Sequence, residues 1–470
     1  MDPSSDTCGS ELRFAVYVEE LKGALGHADR EAPFQSYCTG LLLPGDRKSV
    51  EPMAALVAPH RVQAAHQSLH HFVAKANWSD DALLAGVRAQ VLPTIEQHGA
   101  IRAWILDDSG IPKQGTHSVG VARQYCGQLG KVDNCQVVVS LSVANDHASL
   151  PIAHRLYLPQ EWVDDPVRRR STGVPKDVTF QTKPEIALDQ IRAALAAGVS
   201  PATVLADAAY GVNTDFRDGV SELGLTYAVG IQSSTTLWPR GKQPLPPKPR
   251  QRRGRPPSRL RRTKTHKPIS VGDLAIRLPR KAWRRVTWRE GTNTSLTSRF
   301  AAVRVRSAHR DDNRSSPRSE EWCLIEWPAG EAEPTQYWLS TLPANTSLRA
   351  LVNLTKLRWR IERDYQDLKQ ELGFGHYEGR GWRGFHHHTT LCIAAYGFLI
   401  TERAAFPPSA ESRAPLLPQS SLPAGFRPSG APHSNPTPRR HLDHDLPHRN
   451  RTRSRQITPA MPVLPASAKQ

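Results

Sequence analysis

Ile101-Arg102-Ala103-Trp104-Ile105-Leu106-Asp107-Asp108 is a short apolar run closed by two carboxylates. Such a run reads as a buried strand that ends where the carboxylates begin. Downstream, Val137 to Val143 is rich in Val and Ser, and Ile152 to Leu158 reads as another strand. Asp146-His147 between them is a turn signal, so the two form a hairpin. Pro184 to Gly198 predicts a helix, with Pro near the first turn and Gly at the close. Val204-Leu205-Ala206-Asp207 is a second short strand that ends in a carboxylate. Thr214 to Gly224 suits a helix, and Leu225 to Ile231 a strand. This order predicts an α/β core with mixed strand directions.

The flanks have a different texture. Before residue 100 the pattern is helical: Phe14, Tyr17, Leu21 and Leu25 recur at helical spacing, and Gly26 marks a stop. Pro52 to Trp78 is helical with a break at Pro59, and Asp80 can cap a further helix bearing Leu83, Leu84, Val87 and Val91. After the core, Arg240 to Lys267 holds 12 basic residues and no acid. Too little apolar surface is available there to offset the ordering entropy, which predicts a mobile loop. Residues 268–342 follow, with stretches such as Leu274 to Leu278, Phe300 to Val305 and Trp322 to Trp327 that read as strands. Ser347 to Leu372 returns to a helical pattern, and Ser347 is a suitable N-cap. From Pro407 onward 13 of the 39 prolines fall in 64 residues, a composition expected of a disordered tail.

Composition narrows the function. The chain has 470 residues and a formal net charge of +18, an excess that points to a polyanion such as nucleic acid. Its six cysteines are scattered, with no Cys-x2-Cys pair, which argues against a zinc ribbon or a redox pair. No apolar run is long enough to span a bilayer. The first residues lack a basic segment followed by an apolar one, so no secretory signal is expected and a cytoplasmic location is.

Asp107, Asp207 and Glu362 carry the chemistry. Carboxylates at the ends of two neighbouring strands, joined by one from a helix, can gather three hard oxygen ligands suited to Mg²⁺. Two such ions would activate a water or a 3′-hydroxyl and stabilise the leaving oxygen of a phosphodiester. A strand-end Asp taken alone is more often a turn former. Asp107 and Asp108 compete for the first position, and strand alternation puts them on opposite faces. On the helix, Arg358 and Glu362 are four apart and share a face to which Lys369 returns. Gly after Tyr210 suits a strand-to-helix turn through its φ freedom.

The chain resembles the DDE transposases of bacterial insertion sequences, closest to the insertion-sequence-701-like branch of the insertion-sequence-4-like superfamily. The resemblance spans roughly residues 10–400. It rests on an ordered set: Ile105 to Gly115, His117 to Gly120, Arg123 to Gly130, Asn134-Cys135-Gln136, Ala206 to Gly211, Lys369 to Gly373 and Tyr377 to Arg380. The superfamily's Tyr-x2-Arg-x3-Glu-x6-Lys helix is matched by Arg358, Glu362 and Lys369, with Thr355 in place of the Tyr. Its pattern of Asp, one residue, then Ser or Thr selects Asp107 over Asp108.

The resemblance implies an α/β, RNase H-like catalytic core with a β-rich insertion, preceded by a helical N-terminal domain. The implied boundaries are a helical DNA-binding domain over 1–99, the first part of the core over 100–235, and a basic loop with β insertion over 236–342. Core helices with the third carboxylate then cover 343–403, and the tail 404–470. The implied activity is metal-dependent cleavage at element ends and strand transfer into target DNA, with Mg²⁺ (or Mn²⁺ in its place) held by Asp107, Asp207 and Glu362. Arg358, Lys369 and Lys113 are the candidate DNA contacts beside the acids, and Arg253 and Arg255 those in the basic block. The partners are terminal inverted repeats and target DNA, bound by a homodimer at the nucleoid and with no membrane. A nuclease without strand transfer, or a regulator descended from a transposase and no longer catalytic, are the other readings of these residues.

Three further motifs have plainer alternatives. Arg253-Gly254-Arg255-Pro256 matches the core of a minor-groove hook, and general phosphate contact explains it better. Of Trp283, Trp288, Trp322, Trp327 and Trp338, one can receive a displaced base by analogy with the superfamily, while core packing is the default for each. His386-His387-His388 looks like a metal tract, but adjacent helical residues point apart.

Overall fold

In a computed structural model the described residues are 3–248, 258–290 and 295–406. Five helices open the chain: α1 (Pro3–Lys22), α2 (Glu31–Leu42), α3 (Val50–Val57), α4 (Val62–Ala74) and α5 (Asp80–Gln97). Gly26 takes a left-handed φ of 70° after the first of them. Ser79, rather than Asp80, caps α5 by accepting from the Ala82 N–H.

The core follows as β1 (Ala103–Pro112), β2 (Ala122–Cys126), β3 (Lys131–Ala144) and β4 (Ser149–Leu156), then α6 (Gln160–Val163), α7 (Pro166–Thr172) and α8 (Lys183–Ala196). It continues as β5 (Thr203–Ala206), α9 (Ala208–Gly211), α10 (Thr214–Glu222) and β6 (Tyr227–Ile231). The Thr182–Glu185 capping box starts α8, and Gly198 follows it at φ 74°. In the sheet, β4 and β1 flank β3 as antiparallel partners, while β1, β5 and β6 run parallel. Core strands carry almost wholly buried sequences, as expected of a sheet covered on both faces.

The sheet then extends through the insertion. Its elements are β7 (Thr236–Trp238), β8 (Ile269–Ser270), α11 (Val271–Arg277), β9 (Arg284–Glu290), β10 (Ser295–Ser307), β11 (Glu321–Trp327) and β12 (Gln336–Ser340). The path runs β6-β12-β11-β10, with β9 and β7 both on the far side of β10. The chain closes with α12 (Leu348–Lys356), α13 (Trp359–Gln370) and α14 (Trp382–Ala405). Helix α14 is buried along most of its length and packs against α2, α4, α5 and β4. Among the described residues no helix is long and apolar enough to cross a membrane.

Four local expectations change. The apolar run at 101–106 does not stop at Asp107: β1 continues to Pro112, because the long strand β3 keeps pairing with it down to Cys135. Leu274 to Arg277 is helical, not extended, and only the cap residue Leu278 is extended; Ser270 accepts from the Asp273 N–H and starts α11. The helix read over 347–372 is broken at Leu357 and Arg358 into α12 and α13. Parts of the basic block are anchored rather than free. Leu245 and Arg261 form a β-bridge, and Arg262 pairs with Asp311, only 1% exposed, which also accepts from Trp238 Nε1 at 2.5 Å. Residues 249–257 of that block, including Arg253 and Arg255, and the tail from 407 lie outside the described residues.

Candidate active site

Parallel pairing of β1 with β5 runs from Ala103↔Thr203 to Ile105↔Leu205. Two residues further in the same register, Asp107 lies level with Asp207. At that point β5 ends and α9 begins, while β1 goes on beside β3. The two carboxylates therefore sit side by side where a neighbour strand drops away. Asp207 is the N-cap of α9, and its Oδ1 accepts from the Ala209 N–H at 2.9 Å. Its approach to the sheet depends on two glycines. A Cβ on Gly211 would lie 1.9 Å from the Gly230 carbonyl oxygen, and one on Gly230 would lie 2.9 Å from the Ala208 nitrogen. Gly211 is not among the positive-φ glycines, so close approach to β6, not φ freedom, is what this position requires.

The third carboxylate arrives with the helix break. Arg358 is the N-cap residue of α13 and Glu362 lies in its first turn, where a helix favours negative charge. Arg358 donates through one nitrogen to Asp107 Oδ2 at 3.0 Å and through the other to Glu362 Oε1 at 2.9 Å. Lys369, further along the helix, donates to the Gly110 carbonyl at 3.0 Å. Arg358 and Lys369 thus both face β1, as their spacing predicts.

Electrostatics ties the acids together. Burial pushes the Asp107 carboxyl up to about 6; Arg358 opposes the rise, and Asp207 and Asp108 add to it. For Arg358, burial works against the charge, but Asp107, Glu362 and Asp207 outweigh it and hold the guanidinium above its ordinary value. Asp108 has a separate environment. Its Oδ2 accepts from Lys183 Nζ at 2.7 Å, and its Oδ1 takes a long contact of 3.4 Å from the buried Tyr210 hydroxyl. Nothing in the sequence pairs Lys183 with a carboxylate 75 positions away; that contact exists only because α8 packs on the sheet.

The donor set is oxygen only and suits a hard divalent ion. As the side chains stand, no three His, Cys, Asp or Glu side chains among the described residues are clustered tightly enough to hold one. Asp107 and Asp207 are adjacent, whereas Glu362 is turned to Arg358. The Glu362 side chain is 60% exposed, so it can swing without a packing cost.

The other expected contacts are occupied elsewhere. Lys113 donates to the Tyr377 carbonyl at 2.6 Å, and burial lowers its ammonium to about 8. Thr355 bonds back to the Leu351 carbonyl at 2.6 Å inside α12 and does not face the acids. The three consecutive histidines have separate partners. His386 accepts from the Leu156 N–H, His387 lies against the Val73 and Trp78 carbonyls, and His388 meets Tyr37 and the Gly373 carbonyl. Burial lowers all three to about 4, although two carbonyl acceptors on His387 favour a protonated ring there. These rings fasten α14 to its neighbours. Among the tryptophans, Trp288 and Trp338 ring Lys356 Nζ at 4.6 and 5.3 Å. Lys356 is ion-paired with buried Glu326 at 2.6 Å.

Residues 20–295 match the family described as DDE superfamily endonuclease. That span contains Asp107 and Asp207 and ends before Glu362. The chain is also similar to a protein of Microchaete diplosiphon named "probable transposase for insertion sequence element IS701", with 31% identity over 189 residues. The similarity covers 40% of this chain and 45% of the relative.

Proposed function

The chain belongs to the DDE superfamily of endonucleases, and from that membership we propose that it is a transposase of the insertion-sequence-701-like type. It cleaves DNA at element ends and transfers the 3′-hydroxyl into target DNA. The observation that carries this reading is the bridge from Arg358 to Asp107 and Glu362, with Asp207 level beside Asp107. Asp107 and Asp207 stand side by side on two parallel strands, and Arg358 ties Glu362 of a distant helix to Asp107. The strand order, with β4 antiparallel to β3 and β3 antiparallel to β1 on one side and the parallel strands β5 and β6 on the other, supports an RNase H-like core.

Asp107, Asp207 and Glu362 are the residues that would hold Mg²⁺ or Mn²⁺, which when bound activates the attacking oxygen and stabilises the leaving one. The chain supplies the rest. With its carboxyl near 6, Asp107 is ionised above neutral pH and serves as an oxygen donor. Arg358 aligns Asp107 with Glu362 and presents the cation closest to an incoming phosphate. Lys369 pins α13 to Gly110 and so keeps that alignment. DNA is the partner, through terminal inverted repeats and target duplex, and a homodimer pairs two ends.

The test is cleavage of labelled element-end DNA with Mg²⁺, followed by joining to a plasmid. Wild type should cut and join, and Glu362→Gln should bind ends without cutting. Cutting without joining would make the chain a plain nuclease. A Glu362→Gln variant that still cuts would remove Glu362 from the site.

A further inference from the structure

Arg277-Leu278-Pro279-Arg280-Lys281-Ala282-Trp283-Arg284-Arg285 carries five cations and no acid, outside the 240–267 block. It is firmly built. Arg277 ends α11, residues Arg280–Ala282 form a 3-10 turn closed by Ala282 N–H on the Pro279 carbonyl at 2.9 Å, and β9 starts at Arg284. All five cations are exposed. A sixth, exposed Arg299 on β10, lies directly opposite Arg285. Like charges directly opposite each other in an antiparallel pair are destabilising. Acids exist nearby in sequence or register, Asp273 on α11 and Glu331 and Glu333 after β11, but among the described residues none forms an ion pair with these six.

Aromatic rings hold part of the patch rigid. The Arg299 guanidinium lies over the Trp327 ring at 4.5 Å, and Trp283 meets Trp327 edge-on at 5.2 Å. Arg299 Nε also donates to the Trp327 carbonyl at 3.4 Å, and the stacked guanidinium keeps its two terminal nitrogens for phosphate oxygens.

The location separates this patch from the acids. Following the register from Asp107 through Leu205, Ala228, Ser340 and Trp322 to Arg304, and along β10 to Phe300, one face of the sheet bears the site. Arg299 and Arg285 alternate with Phe300 and Val286, so they point to the opposite face. Five strand spacings lie between β5 and β9, about 24 Å at roughly 4.8 Å each. A phosphate at the carboxylates cannot be the one this patch holds.

We propose that Arg277, Arg280, Lys281, Arg285 and Arg299 form a second DNA-binding surface, which grips the phosphate backbone of a duplex remote from the carboxylates. Five exposed cations exceed what a small anion neutralises, and a duplex presents a continuous row of phosphates. The inference rests on the transposase reading only in taking DNA as the polyanion. The duplex is either the flank of the element end or the target, and two probes separate these.

The experiment uses the full chain carrying Arg280→Gln, Lys281→Gln, Arg285→Gln and Arg299→Gln together. Fluorescence anisotropy follows binding between 50 and 200 mM salt, on an element-end duplex and on a duplex of unrelated sequence. The slope of log K against log salt should become shallower by about 3.6, four contacts at roughly 0.9 each, while the variant still unfolds in one cooperative thermal melt. A change on both duplexes identifies a general backbone surface; a change on the end duplex alone identifies the end flank. Wild-type binding with an unchanged slope in the variant on both overturns the surface and leaves the proposed function standing. A wild-type chain that binds neither duplex overturns both.

Discussion

Arg358 reaches Asp107 at 3.0 Å across 251 positions of sequence. This one contact fastens the helix of the third carboxylate to the strand of the first. It exists because the chain breaks its helix at Leu357 and Arg358, which leaves Arg358 at a helix start facing β1 rather than on a continuous cylinder.

Asp107 and Asp108 should behave differently under the same isosteric change. Asp107→Asn should lower Mg²⁺-dependent cleavage by about three orders of magnitude or more, a loss of roughly 4 kcal/mol in barrier lowering. Asp108→Asn leaves the site's face intact and should stay within about tenfold of wild type, roughly 1.4 kcal/mol. Cleavage rates on a labelled end duplex decide the matter, and an equal loss in both variants would reject the face assignment.

Stability should move opposite to activity at Asp107. Its folded carboxyl sits near 6 while the unfolded one titrates near the ordinary 3.8. Between those values the folded state binds the extra proton, so stability falls as pH rises through that window and stays lower above it. Asp107→Asn removes the effect. The variant should be more stable than wild type at pH 7.5, by about 1–3 kcal/mol, and the gap should close below pH 4. Urea unfolding across pH measures it; a variant less stable at pH 7.5 would contradict the burial argument.

Gly230→Ala should disturb the site through Asp207. Its new methyl meets the backbone of Asp207 and Ala208, which cannot yield as a flexible side chain would. The expected cost is about 1–3 kcal/mol, the usual range for overpacking, with cleavage lost beyond what the unfolded fraction explains. Normal cleavage by the folded fraction would mean that the close packing of α9 on β6 does not position Asp207.

Cations of the 240–267 block should divide into two groups. Arg262→Ala leaves Asp311 buried with Trp238 as its remaining partner, and should destabilise by about 3–5 kcal/mol. Neutralising exposed Lys264 and Lys267 should leave the fold unchanged and flatten the salt dependence of DNA binding by about 0.9 per contact. Thermal melts and anisotropy titrations report the two effects separately.

Much of this protein was legible in its sequence. Apolar runs ending in Asp107 and Asp207, the Val-rich hairpin and the capped helix at 183–196 announce themselves through local periodicity and turn residues. So does the spacing of Arg358, Glu362 and Lys369, because a helix repeats every few residues. Local pattern failed where a distant neighbour decides the outcome. Strand β1 runs on to Pro112 because β3 offers it partners, Leu274 and Ala275 fold as a helix under a serine cap, and Arg262 is fixed by an aspartate 49 positions later. Composition and spacing determined the class of chain, its charge and which acids to examine. Tertiary structure alone decided which face each acid occupies, that Lys183 takes Asp108, that Arg358 joins Asp107 to Glu362, and that Arg285 stands opposite Arg299. Each of these depends on strand register and packing between remote segments, and a single chain of letters carries no record of either.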